Sequence, residues 1–256
     1  MNPLADDGTD GGRAYDPGAE VRRDGAIIGL IAAMLVAGTV ALPRLPQRVA
    51  IHWNAAGQVN GWSSPLVAAF APPLLALVVW AGLLALPALD PRRHRYAKFA
   101  ATYRALRLVV VALVAVTYGL ILVHGLGGHV DIPVDTALLL AATFLVIGNL
   151  LPRVQPTWFV GIRTPWTLSD DEVWRQTHRL AGRMFMLAAL LPLAGLAAPP
   201  RILAGLIVAA AVVPAIIAVV YSYLLFSRGH GSQDPAGRRC GGSDRGPVAG
   251  CGRPKG

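Results

Sequence analysis

Charge is scarce in this sequence. Asp, Glu, Lys and Arg make up 14% of its 256 residues, while 54% are hydrophobic. A soluble domain carries roughly a quarter charged residues, so a large soluble core with a water-facing surface is excluded. Cysteine is nearly absent. Cys240 and Cys251 have no CxxC spacing and no ligand cluster beside them, which removes a disulfide framework and a thiolate metal site. Catalytic signatures are missing too: there is no GxSxG, HExxH or Walker loop. The apolar stretches hold almost no Asp, Glu or His, which argues against the buried relays that ion-coupled transporters use.

What is present is long apolar runs, in blocks of about the length that crosses a bilayer core as helix. Six can be read: Gly25–Leu42, Pro65–Leu89, Leu108–Leu126, Ile132–Leu151, Met184–Pro199 and Ile202–Phe226. The fifth is short, and the fourth opens on a segment containing Asp135. Ala, Gly and Pro are frequent in them, as expected where small residues let membrane helices approach closely. The first block is longer than a signal-peptide core and follows Asp6, Asp7, Asp10, Asp16 and Glu20, so it reads as a retained span. The expected fold class is an all-α integral membrane protein of about six transmembrane helices.

Basic residues give the sidedness. With six spans, twenty Arg and Lys fall on one side and three, Arg44, Arg48 and Arg201, on the other. The positive-inside rule then places both termini in the cytoplasm of a multi-pass protein. The net charge of +9 follows from this topology and from contact with the lipid bilayer; direct nucleic-acid binding is not expected. The polar head, residues 1–24, and the Gly/Arg/Pro-rich tail, residues 227–256, read as disordered. Between them lie an N-terminal membrane region, 25–130, and a second membrane region, 131–226.

One cytoplasmic stretch breaks the apolar pattern: "GIRTPWTLSDDEVWRQTHR", residues 161–179. Ser169 with Glu172 has the spacing of a capping box, and Asp170 and Asp171 suit the positive end of a helix dipole. Asp171, Arg175, Arg179 and Arg183 recur every four residues as one charged stripe, with Trp174 and His178 on an adjacent ridge. The pattern predicts an amphipathic helix from Ser169 through Arg183 on the cytoplasmic lipid surface, with Trp158, Trp166 and Trp174 at head-group depth. Pro165 disfavours helix at Thr164, so "GIRTP" should be extended or turning.

The longer stretch "GNLLPRVQPTWFVGIRTPWTLSDDEVWRQTHRLAGRMF", residues 148–185, resembles the signature region of the SdpI family of bacterial plasma-membrane proteins. "IHWNAAGQVNGW", residues 51–62, resembles the motif of an HWN-type domain of unknown function that often precedes it. By itself the second stretch contains turn formers, "NAAG" and "VNG", bracketed by Trp53 and Trp62. The resemblance implies immunity to a secreted antimicrobial peptide toxin outside the cell. It also implies a small transcriptional repressor as a cytoplasmic partner. The binding residues expected from it are Arg163, Thr164, Pro165, Trp166, Arg175, His178 and Arg179 inside, and His52, Trp53, Asn54 and Gly57 outside. No catalytic residue, metal or cofactor is expected; His124, His129 and Asp131 in "HGLGGHVD" lack a rigid helix face to hold a metal. The alternative is a small-molecule permease or membrane enzyme in which Arg163, Arg175 and Arg179 hold a phosphate or carboxylate.

Overall fold

In hydrocarbon every backbone N–H and C=O must be bonded within its own segment, so apolar runs of this length fold as helix. The computed structural model describes residues 15–231. In it α1 is Pro17–Arg23, α2 Gly25–Ala41, α3 Pro65–Leu89, α4 His94–Lys98, α5 Ala100–Gly125 and α6 Ile132–Leu150. The second half holds α7 Pro165–Ser169, α8 Asp171–Ala188, α9 Leu190–Ala194 and α10 Pro200–Gly231. A hairpin of β1 Val49–Trp53 and antiparallel β2 Val59–Ser63 is a small exception to the all-α expectation.

Five stretches are long and apolar enough to cross a membrane: Gly25–Arg44, Pro65–Leu89, Ala100–Gly125, Ile132–Arg153 and Pro200–Arg228, with mean hydropathy from 2.0 to 2.8. The block at Met184–Pro199 is not a separate apolar helix. It forms the end of α8 and the short α9, which are offset at Ala189. Together they still carry the chain from one end of the bundle to the other. Near the start of this segment Trp166 in α7 bonds to Ser222 late in α10; beyond its end Pro200 lines the same cleft as Asp131 and Pro133, at the start of α6. The α8–α9 segment thus joins the two ends of the bundle, and its polar first half sets it apart from the five apolar stretches.

Exposure runs opposite to that of a soluble protein. Val36, Leu75, Val78 and Ile216 are outward-facing, while Ala69, Ala76, Ala137, Ala189 and Ala210 are fully buried. Small residues set the helix spacing, as membrane packing requires. A Cβ on Gly148 would lie 2.7 Å from the Gly182 carbonyl oxygen, and one on Gly182 would lie 2.6 Å from that of Gly148. This reciprocal contact lets α6 and α8 cross backbone to backbone. In the other half α2, α3 and α5 pack together, and the Tyr118 hydroxyl of α5 donates to the Ala69 carbonyl at 2.8 Å, beside Gly38.

Residues 1–14 of the head lie outside the described residues, and 15–24 depart from the expectation of disorder. Residues 17–23 are helical, and Glu20 and Asp24 are buried. The cause is Arg107, whose side chain reaches no solvent. It donates from Nε and Nη2 to Asp24 at 3.1 and 2.9 Å, from Nη2 to Glu20 at 2.9 Å and from Nη1 to the Tyr15 hydroxyl at 3.1 Å. Asp24 also accepts from the Trp80 indole at 2.9 Å. At the other end residues 227–231 continue α10, and the remainder of the tail, 232–256, lies outside the described residues.

Arg107→Met should leave buried Asp24 without a counter-charge and Glu20 with only Arg23, and cost about 3–5 kcal/mol, the usual penalty for half of a buried ion pair. Denaturant titration in detergent micelles measures it. The triple variant Glu20→Gln/Asp24→Asn/Arg107→Met should recover most of the loss, because no charge is then stranded.

Candidate functional site

The segment 154–170 is folded onto α8 by its own side chains. Its anchor is Trp174, fully buried, whose indole donates to the Val154 carbonyl at 2.9 Å. His178, one turn later, stacks on Trp174 with ring centroids 4.0 Å apart. Gly161 then passes over the stacked pair at φ +111, where a Cβ would lie 2.6 Å from His178 Nε2 and 2.8 Å from the indole. Only glycine allows both that backbone conformation and that approach.

The imidazole has one tautomer. Its Nδ1–H donates to the Trp174 carbonyl at 2.8 Å, and its Nε2 accepts from the Ile162 N–H at 2.9 Å. The bond accepted at Nε2 needs the neutral ring, and burial pushes the pKa down to about 4. His178 thus staples "GIRTP" to α8. After it Thr164 is extended, as Pro165 requires, and caps α7 in a reciprocal capping box with Thr167. Ser169 is not the cap expected for the charged helix. Its hydroxyl donates to the Trp166 carbonyl, and Asp170 caps α8 by accepting from Glu172 N at 2.7 Å and Val173 N at 3.2 Å. α7 takes up the residues up to Ser169, so the cap shifts by one.

The amphipathic helix α8 is present, but its Trp174–His178 ridge faces protein instead of lipid. Thr177, Ala181 and Gly182 share the buried face; Asp171, Glu172, Arg175, Arg179 and Arg183 are exposed. Of the expected inner binding residues, Thr164 and His178 are structural and Trp166 is half-buried against Ser222 and Tyr223. Pro165, Arg163, Arg175 and Arg179 remain exposed. Arg163 donates to the Trp158 carbonyl at 2.8 Å, and Arg175 pairs with Glu172. The loop between α3 and α4 adds partners that sequence reasoning missed. Arg92 donates to the Leu168 carbonyl at 2.8 Å, Arg95 pairs with Asp171 at 3.0 Å, and Asp90 accepts from Tyr96 Oη and the Trp158 N–H, both at 2.9 Å. Arg92 and Arg95 read in the sequence only as part of the charge count.

At the opposite end the HWN stretch forms the hairpin. Asn54 shapes its turn: Oδ1 accepts from Ala56 N at 2.9 Å and Gln58 N at 3.0 Å. Gly57 is at φ +75, and a Cβ there would lie 2.9 Å from the Pro133 ring, so the hairpin tip is seated on the start of α6. His52 bonds to Asn60 across the strands at 2.5 Å. Trp53 meets the His124 ring edge-on at 5.4 Å. Hairpin, α5–α6 loop and Pro200 enclose a cleft of about 650 Å³ lined by Trp53, Gly57, His124, His129 and Asp131 among others. Nothing in the sequence pairs "IHWNAAGQVNGW" with "HGLGGHVD"; only the fold joins them. Among the described residues no three His, Cys, Asp or Glu side chains group as a metal site.

Two motif regions, far apart in sequence, are therefore built into the two ends of one bundle. Residues 153–222 match the SdpI/YfhL protein family, and residues 29–77 match a domain of unknown function, DUF1648. The second half of the chain is thus similar to the SdpI/YfhL family, and the stretch before it is similar to DUF1648. The immunity protein SdpI of Bacillus subtilis (strain 168) is 24% identical over 147 residues, covering 57% of this chain and 68% of that protein. No solved structure matches. The residues matched to the SdpI/YfhL family begin at the turn leaving α6 and end at Ser222, the partner of Trp166.

His178 makes the fold pH-sensitive in a stated direction. The ring is neutral when folded, with a pKa of about 4 against the ordinary 6.5. The unfolded chain takes up a proton first as pH falls, so stability is full above pH 6.5 and declines toward pH 4 by up to about 3 kcal/mol. Thermal unfolding in lipid nanodiscs across that range measures the decline. His178→Leu should be less stable at pH 7 and flatter between the two limits.

Proposed function

We propose that the chain is a non-catalytic immunity protein of the bacterial plasma membrane that protects its cell from a secreted peptide toxin. The similarity to the immunity protein SdpI is the observation that carries this reading. The termini are cytoplasmic, on the positive-inside distribution of Arg and Lys. The hairpin end with His52, Trp53, Asn54 and Gly57 then faces outward, where a secreted peptide arrives. The Arg163–Arg179 end faces the cytoplasm and offers Arg163, Arg175 and Arg179 as guanidinium forks to a small repressor protein. Signalling uses the rigid connection between the two ends. The loop 154–170 is stapled to α8 and bonded to α10, so a tilt of either helix displaces the exposed arginines with it.

Charge-preserving substitution separates a specific surface from a lipid anchor. An anchor needs only positive charge, whereas a docking site uses the planar fork that Lys cannot reproduce. Arg163→Lys and Arg179→Lys, present in the membrane at normal level, should lower the protective concentration limit against the cognate peptide about tenfold, the effect of losing one charge-assisted hydrogen bond. The readout is survival of a sensitive host challenged with membrane-active peptides. Full protection by both variants would reduce this end to an anchor.

A further inference from the structure

The chain is strongly basic, with a net charge of +9, yet the cleft at the hairpin end has neither Lys nor Arg in its lining. Its one carboxylate is Asp131. The nearby-in-sequence cations point elsewhere: Arg48 lies over the Trp62 ring at 5.6 Å, and exposed Arg201 follows the lining residue Pro200 without itself lining the cleft. Trp53 presents an aromatic wall, half-buried and fixed edge-on by His124. A carboxylate and an indole lining one cleft is a combination that holds an ammonium group, by charge and by attraction to the ring quadrupole. Val59, Pro133 and Pro200 supply apolar contact around them. The volume of about 650 Å³ falls in the range of small-ligand pockets.

We infer that this cleft binds a cationic segment of a peptide, with a lysine side chain or free amino terminus seated between Asp131 and Trp53. The geometry has a stated division of labour. Asp131 Oδ1 caps α6 by accepting from Val134 N at 3.2 Å, which fixes the carboxylate in place. The hairpin tip, held against Pro133 at Gly57, holds Trp53 in the same cleft. The site exists only when the DUF1648 hairpin and the start of α6 are docked, so a ligand here bridges the two halves of the chain. That its natural occupant is a toxin peptide rests on the proposed function; that it takes a cation does not.

The test uses the full chain in lipid nanodiscs with tryptophan replaced by 5-fluorotryptophan. The 19F resonance of Trp53 is assigned by its loss in Trp53→Phe. The probe is the blocked tripeptide acetyl-Ala-Lys-Ala-amide, compared with the same peptide carrying Gln in place of Lys. The Lys peptide should shift the Trp53 resonance saturably and the Gln peptide should not. Asp131→Asn keeps an oxygen for the helix cap and removes the charge, and should weaken the Lys peptide about threefold to fivefold, as for an exposed ion pair. Equal binding of the two peptides, no binding of either, or an unchanged Kd in Asp131→Asn would overturn the inference, as would displacement of the Lys peptide by equimolar Ca2+ or Mg2+. The host-survival assay reads separately. A chain that binds the Lys peptide but protects no host keeps the cleft and loses the immunity reading; a chain that protects but does not bind it loses the cleft.

Discussion

A guanidinium that reaches no solvent must be neutralised inside the protein, and the N-terminal half is arranged around that constraint. Arg107 sits one and a half to two turns inside an apolar helix and has two carboxylates and a tyrosine hydroxyl as partners. Satisfying it draws α1 down onto the bundle, orders Tyr15 and Glu20, and places Asp24 where the Trp80 indole of α3 can reach it. Tyr103 lies under the guanidinium at 5.1 Å and joins Tyr15 and Tyr96 in an aromatic cluster that continues to Phe99 and Trp174. One buried charge thus ties the first helix to the loop that carries the exposed arginines. An ion group of this kind is weak evidence for stability and better evidence for a defined arrangement.

The two halves meet twice, by different physics. At the arginine-rich end the join is polar and aromatic: Asp90, Arg92 and Arg95 from the first half bond to residues of the loop and of α8. At the hairpin end it is steric, with Gly57 against Pro133 and Trp53 against His124. Between them the helices are spaced by Gly and Ala, and the Gly148–Gly182 crossing leaves no room for a methyl group. Interfaces packed this closely shift between discrete arrangements instead of deforming smoothly.

Much of this was legible in the sequence, because hydropathy and charge asymmetry act over whole segments. The helical membrane fold and the special character of residues 161–179 both follow from them. The α8 segment is harder to read: it pairs a charged face with a buried Trp174–Val173–His178 face, so its average polarity hides its burial. The order of residues 15–24 is hidden because acidic residues look solvated until a buried partner is known, and Arg107 gives no local sign of being that partner. Ser169 was misread as a cap because two short helices, each with its own cap, look in sequence like one. The cleft was invisible for a different reason. Trp53 is too far along the chain from His124 and Asp131 for any spacing rule to connect them.

The central claim is that the hairpin cleft and the arginine-rich loop lie on opposite faces of the membrane, the cleft outside. Labelling of single cysteines at exposed positions tests it most directly, in a chain with Cys240 and Cys251 replaced by Ser. The account predicts that Gln58→Cys reacts with an impermeant maleimide in intact cells and Ser169→Cys only after permeabilisation. Labelling of both from the same side, or of Ser169→Cys alone in intact cells, would contradict it.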